Sequence, residues 1–122
     1  MATRAVVKFQ WRGETEAIIY KHCDGYPEGL GSLLLRFIEE VRRSVRSNFL
    51  DSAGGMAARF CAYLLKLDAG EVVEVMMAPP GDEEYTYVVE CRGASYTKPP
   101  TVVCYRPDES GKIVEIPTEN AK

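Results

Sequence analysis

The densest run of chemically capable side chains is Tyr20-Lys21-His22-Cys23-Asp24-Gly25-Tyr26-Pro27, which contains the chain's one histidine. A cysteine beside a histidine invites a nucleophile–base reading, in which the imidazole takes the thiol proton. On a strand, however, neighbouring side chains point to opposite faces, which argues against that pair. His22 and Asp24 fall on one face and have the spacing of a base and its orienting carboxylate. No serine or threonine stands in a recognisable elbow to complete the set, so no catalytic residue is assigned. The competing reading makes Asp24-Gly25 a turn, with His22 fixing the loop by hydrogen bonds.

Other site chemistries are sparse. Neither GxGxxG nor GxxxxGK[ST] occurs, and Gly25, Gly29 and Gly31 ahead of a helix are a weak anion signal that helix entry alone explains. Cys23, Cys61, Cys91 and Cys104 contain no CxxC pair. With one histidine they do not make a zinc set, so no metal and no cofactor is expected. Cys61, Cys91 and Cys104 read as reduced, small core residues. Aromatic and cationic residues carry more. Tyr85 and Tyr87 on one strand face, Tyr96 in a loop, and Arg59, Arg92 and Arg106 have the chemistry of a nucleotide pocket. In such a pocket a ring stacks on a base while a guanidinium grips phosphate by paired hydrogen bonds. The alternative leaves the tyrosines as sheet residues with wet hydroxyls.

These residues need elements to hold them. Thr3–Phe9 and Thr15–His22, joined by Arg12-Gly13-Glu14, predict an N-terminal hairpin, and Cys23–Gly29 predicts a loop. Leu30, Leu33, Leu34, Phe37, Ile38, Val41 and Val45 form one apolar face of a helix. Arg36, Arg42, Arg43 and Arg46 lie largely off that face and read as its solvated surface. After Ser47-Asn48, a second helix starts at Asp51 or Ser52 and carries Met56, Phe60, Tyr63, Leu64 and Leu67 to a stop at Asp68-Ala69-Gly70. Strands follow at Val72–Ala78, Tyr85–Arg92, Thr101–Arg106 and Lys112–Ile116. The order ββααββββ predicts an α+β fold: an antiparallel sheet, built from the N-terminal hairpin and the C-terminal strands, packed on a central pair of helices.

Composition sets the outer bounds. A chain of 122 residues, 46% apolar and 27% charged, suits a single domain over residues 1–122 with its own core. Its net charge of −3 argues against binding long nucleic acid, which depends on neutralising phosphates. It leaves room for a local basic pocket. Met1–Gln10 has no apolar signal-peptide core and no apolar run is long enough to span a bilayer, so a cytoplasmic protein without a membrane partner is expected.

The block Tyr20-x-His22-x-Asp24-Gly25-Tyr26-Pro27-x-Gly29, after a strand that opens Ala2-Thr3-Arg4-Ala5, resembles a family of small phage and bacterial proteins. That family is similar to, or close to, the phage Thoeris anti-defence proteins. The tail of the pattern is echoed in Gly81-Asp82-Glu83-Glu84-Tyr85-Thr86-Tyr87. The resemblance implies a homo-oligomeric sponge, acting in the host cytoplasm, that encloses a cyclic ADP-ribose isomer or related cyclic nucleotide between protomers without cleaving it. Such a site offers basic groups to the pyrophosphate and an aromatic ring to the adenine. Side-chain chemistry nominates Lys21, Arg59, Tyr85, Tyr87 and Arg106 for those roles, with His22 and Asp24 from the block itself. Two alternatives stand beside this reading: a protein-binding inhibitor of a host factor, and a small nucleotide-degrading enzyme using His22 and Asp24.

Overall fold

The computed structural model describes residues 3–44, 50–67 and 73–116. The expected helix end at Val45 and Arg46, the break at Ser47-Asn48, the stop at Asp68-Ala69-Gly70 and the strand start at Val72 lie outside the described residues. Six strands and two helices make an α+β fold: β1 (Ala5–Trp11), β2 (Glu14–Lys21), α1 (Ser32–Arg43), α2 (Ala53–Lys66), β3 (Val73–Met76), β4 (Tyr85–Glu90), β5 (Thr101–Pro107) and β6 (Ile113–Ile116). They form one sheet in the order β3-β2-β1-β4-β5-β6.

All neighbours in the sheet pair antiparallel except one. β1 and β4 run parallel, with Ala5 beside Tyr85 and Gln10 beside Glu90. This corrects the expectation of an antiparallel sheet, and chain geometry gives the reason. β2 is antiparallel to both β1 and β3, so β3 already runs in the β1 direction. To place β4 against the free edge of β1, residues 77–84 must carry the chain back past β2 and β1. Such crossovers usually need about a dozen residues or more. Here β3 is four residues long, so the return spans only roughly 18 Å at standard strand spacings, within the ~27 Å reach of eight extended residues.

The two faces of the sheet are closed differently. On one face Val7, Phe9, Ile19, Tyr87, Val89 and Cys104 are buried against the helices. α1 supplies Leu34, Phe37 and Ile38, and α2 supplies Met56, Ala57, Phe60 and Leu64. Phe60 is the hub of the aromatic contacts, with ring centroids 5.9 Å from Phe9 and 5.1 Å from Phe37. Burying side chains of this size stabilises the fold by about 1.5–3 kcal/mol each. On the other face Val6, Ile18 and Tyr20 are buried as a separate cluster with Met76 packed on it. The Tyr20 hydroxyl donates to Asp82 at 2.9 Å, and Arg4 pairs with the same carboxylate at 3.4 Å. Asp82 therefore holds the crossover down on this face, and the backbone amide of Glu84 donates to the Arg4 carbonyl at 2.7 Å.

Between β2 and α1 the chain makes a close turn over the Ala5 end of the sheet. Asp24 takes a positive φ of 58°. Gly25 then lies directly on Ala5: a Cβ added to Gly25 would sit 2.6 Å from the Ala5 Cβ. Three hydrogen bonds fix it. The Gly25 amide donates to the Thr3 carbonyl at 2.9 Å, the Tyr87 hydroxyl donates to the Gly25 carbonyl at 2.7 Å, and the Leu30 amide donates to the Asp24 carbonyl at 2.9 Å. A single wide π-type turn, Pro27–Gly31, then leads into α1 without a side-chain cap. α2 has one: Ser52 Oγ accepts from the Gly55 amide at 3.0 Å.

The opposite end of the sheet is closed by two carboxylates. β1 passes to β2 through Arg12-Gly13, with φ of 58° and 78°. Two successive positive φ values are the signature of a two-residue type I′ turn, which strongly favours Asn-Gly. An arginine in that conformation costs about 1–2 kcal/mol. Glu90 accepts from the Arg12 and Gly13 amides at 2.8 and 2.9 Å. Asp51 accepts from the Trp11 indole N–H at 2.8 Å and from the Gly93 amide at 2.7 Å, joining the start of α2 to β1 and the segment after β4.

Two predictions follow from these locks. Gly25→Ala destabilises the protein by about 1–3 kcal/mol, because Ala5 and the Thr3 backbone leave no room for the methyl group. Tyr87→Phe costs a similar ~1–3 kcal/mol by stranding the Gly25 carbonyl. Chemical denaturation of both variants checks this, and a neutral Gly25→Ala would mean that the close approach is not made. The second concerns pH. The Trp11 and Gly93 donors hold the Asp51 carboxyl below its ordinary value. A depressed folded pKa contributes stability above the ordinary carboxylate range and loses it as pH falls through the folded value. Asp51→Asn should therefore flatten the acid limb of the stability–pH curve; an unchanged acid limb removes Asp51 from that role.

Candidate functional site

The residues nominated from sequence gather in part at the Ala5 end of the sheet. Lys21, Ala5 and Tyr85 stand in one register row, and Tyr85 is followed by Arg106 on the same face. Their surroundings differ sharply. Lys21 is buried to 3% exposure, and its ammonium donates to the Cys23 carbonyl at 2.8 Å. It pins the start of the loop. Tyr87 is fully buried, and desolvation pushes its hydroxyl pKa far above the ordinary phenol value, so it stays a neutral donor to Gly25. Neither side chain reaches solvent.

His22 lies on the opposite face, edge-on to the Tyr20 ring at 4.5 Å, with Nε2 3.6 Å from Glu74. Its carboxylate neighbour is thus Glu74 rather than Asp24. Asp24 is exposed and serves the turn through its backbone carbonyl. Tyr20 itself has a raised pKa, first from burial and then from its hydrogen bond to Asp82. Arg59 sits on α2, where Nη1 reaches the Gly55 carbonyl at 3.4 Å. The strand pair Tyr85 and Arg106 is accessible. Arg106 Nη1 donates to the Tyr85 hydroxyl at 3.3 Å, and its guanidinium lies 5.3 Å from the ring centroid. In this state the arginine occupies the ring face that a base would stack on.

Of the three thiols expected in the core, Cys91 and Cys104 are buried and Cys61 is half-buried against it. Burial pushes Cys91 up to about 12 and Cys104 to about 11, so both stay protonated. Among the described residues, no group of three or more histidine, cysteine or acidic side chains is placed to hold a metal ion, and no helix is long and apolar enough to cross a membrane.

An open concavity lies elsewhere. An open groove of about 790 Å³ runs along α1 from Tyr63 on α2 to Pro99, Pro100 and Val102 at the start of β5. Leu35, Ile38, Tyr63, the two prolines and Val102 give it an apolar floor, and Arg36, Glu39, Glu40 and Arg43 form a charged rim. Helical spacing puts Arg36, Glu39 and Arg43 on one outward stripe that begins at the buried Ser32. Within the rim, Glu39 is already committed. It accepts from Arg42 at 3.0 Å and from Arg43 at 2.8 Å, and these bonds hold its carboxyl below the ordinary value. Arg42 also reaches across to the Tyr96 carbonyl at 3.1 Å and stacks on its ring at 5.5 Å, tying the end of α1 to the segment before the prolines. Tyr63 stands against Phe37 at 5.5 Å, with its hydroxyl pKa raised by burial and by Glu40 and lowered by Arg36.

This groove combines an aromatic ring, a hydrophobic floor and the Arg36 and Arg43 guanidiniums. Its volume is in the range of small-molecule sites. Arg36 and Arg43 are exposed, as a solvated helix face requires, and Arg43 pairs there with Glu39. What the helical pattern did not carry is the long-range approach of Pro99-Pro100 and Tyr63 to the same helix. Compared with known protein families, curated proteins and solved structures, the chain matches none.

Proposed function

We propose that the protein binds and sequesters a cyclic nucleotide signal, a cyclic ADP-ribose isomer or a cyclic oligonucleotide, without cleaving it, as an anti-defence sponge. The single observation that carries the reading is the α1 groove, where apolar floor, Tyr63 ring and two guanidiniums meet in one concavity. Base and ribose have apolar and aromatic surface to lie on, and phosphate has Arg36 and Arg43 to pair with. The groove is open to solvent along α1, so one protomer supplies one wall. A second copy of the chain facing it would enclose the ligand, exclude water and strengthen the arginine–phosphate contacts. The groove brings no cysteine and no histidine to its lining, which suits retention better than turnover. The Tyr85–Arg106 pair is another accessible aromatic–cation combination, and it would need Arg106 to swing off the ring before a base could stack there.

The test is a calorimetric and thermal-shift titration with cyclic ADP-ribose isomers and cyclic dinucleotides, followed by heat release and mass analysis of the ligand. Saturating a binder at about a hundred times its Kd stabilises the folded state by roughly 2.7 kcal/mol. Intact ligand should be recovered. Arg36→Gln and Arg43→Gln should each weaken binding about tenfold, the loss of one charge-assisted contact, and Arg106→Gln should not. If Arg106→Gln alone abolishes binding, the site is at the strand pair. Recovery of breakdown products would replace sequestration by hydrolysis, and silence across the panel would turn the search to a protein partner for the same groove.

A further inference from the structure

A second concavity lies beside the groove, across the segment that contains Lys98, Pro99 and Pro100, and the nucleotide reading does not use it. Arg12, Arg92 and Lys98 line an open depression of about 610 Å³ together with Gly13, Gly93 and Glu90. None of the three cations forms an ion pair with a described residue. The carboxylates of this region are engaged instead by fixed N–H donors. Glu90 accepts from the amides of Arg12, Gly13 and Arg92 at 2.8, 2.9 and 3.2 Å. Burial opposes its charge, but those three amides prevail and keep its carboxyl below the ordinary value. Asp51 is held in the same way by Trp11 and Gly93. Three cations thus stand near two carboxylates that are held by fixed N–H donors, and the charge of Arg92 helps to keep both carboxyls below the ordinary value.

The position of Arg12 adds an independent argument. It occupies the first central residue of a type I′ turn at φ 58°, where asparagine is the unstrained choice and the next residue is already glycine. A strained non-glycine residue persists where its side chain does something the relaxed one cannot. Here that side chain is a guanidinium on an exposed residue that lines the same depression as Arg92 and Lys98. Serving the turn alone would not require it, because Glu90 bonds the backbone amide of residue 12 whatever its side chain.

We propose that this depression is a second binding site, taking a phosphate-bearing small anion. In it the Arg12 and Arg92 guanidiniums grip phosphoryl oxygens and Lys98 supplies a third positive charge. Several oxygens on one centre match forked guanidinium donors converging from two loops, whereas a carboxylate offers only two. The site shares no residue with the α1 groove, so neither proposal depends on the other.

Trp11, the chain's one tryptophan, directly precedes Arg12 and shares Asp51 with Gly93, so its fluorescence reports on this depression. The full chain is titrated with inorganic phosphate, pyrophosphate and a nucleoside monophosphate at constant ionic strength set with chloride, following Trp11 emission and the Gly13 and Gly93 amide resonances. A saturable response is expected, strongest for the anion that engages all three cations. Comparison of the inorganic anions with the nucleotide tells whether the phosphoryl group alone is recognised. Arg92→Gln should weaken it about tenfold. Arg12→Asn should weaken it similarly while raising the melting temperature by a few degrees, a pairing that a purely structural turn residue would not give. A response no larger than that to chloride, or binding unchanged in both variants, overturns the proposal.

Discussion

The approach of Gly25 to Ala5 is the constraint on which the rest of the architecture depends. It brings the loop after β2 into backbone contact with the middle strand of the sheet, and it requires the residue there to have no side chain. Once made, the contact sets the starting point of α1, because the Leu30 amide reaches back to Asp24. It also explains Tyr87, whose ring lies in the core while its hydroxyl holds the Gly25 carbonyl. A phenylalanine would fill the same volume and strand that carbonyl. Fixing this corner places α1 against β4 and β5, and so determines that a groove exists between α1 and Pro99-Pro100.

Much of the Tyr20–Gly29 block is used by the fold. Tyr20 pins the crossover through Asp82, Lys21 holds the Cys23 carbonyl, His22 faces Glu74, Asp24 turns the chain and Gly25 seats it on Ala5. A motif dense in polar side chains therefore need not mark a ligand site. Tyr20, Lys21, Asp24 and Gly25 each solve a problem of backbone or burial. The turn reading of Asp24-Gly25 made from the residues alone is the one with direct geometric content, although the partner of His22 is not the residue that sequence adjacency proposed.

What the sequence could convey was local. The 3.6-residue spacing of Leu30, Leu34, Phe37 and Ile38 and the alternation through Tyr85–Cys91 are visible because each depends on neighbours a few residues away, and the corresponding residues are buried as that spacing requires. The parallel pairing of β1 with β4 was not visible. It depends on whether residues 77–84 turn back beside β3 or cross the sheet, and Pro79-Pro80-Gly81-Asp82 is compatible with either. The decisive contacts, Tyr20–Asp82 and Arg4–Asp82, join residues more than sixty positions apart. The candidate site residues dispersed for the same reason: Lys21 and Tyr87 have suitable chemistry, but burial assigned them to the core. One local signal does point beyond structure. Arginine before Gly13 stands where a tight hairpin turn favours asparagine, and the preference is violated at a solvent-facing position.

An acidic chain can still be an anion binder, and the distribution of its charges shows how. Exposed charges separated by more than about 8 Å are largely screened at physiological ionic strength, so the total of −3 does not reach into a local cluster. What matters is whether carboxylates near the cations are free to neutralise them. In this fold Glu39 pairs with Arg42 and Arg43, whereas Glu90 is held by three backbone amides and Asp51 by an indole and an amide. Backbone and indole donors fix Glu90 and Asp51 in place without a close ion pair, while both carboxylates keep their charge and feel that of Arg92. That leaves Arg12, Arg92 and Lys98 without ion pairs among the described residues. Satisfying acids with neutral donors is thus how a small domain keeps both its stability and its positive surface.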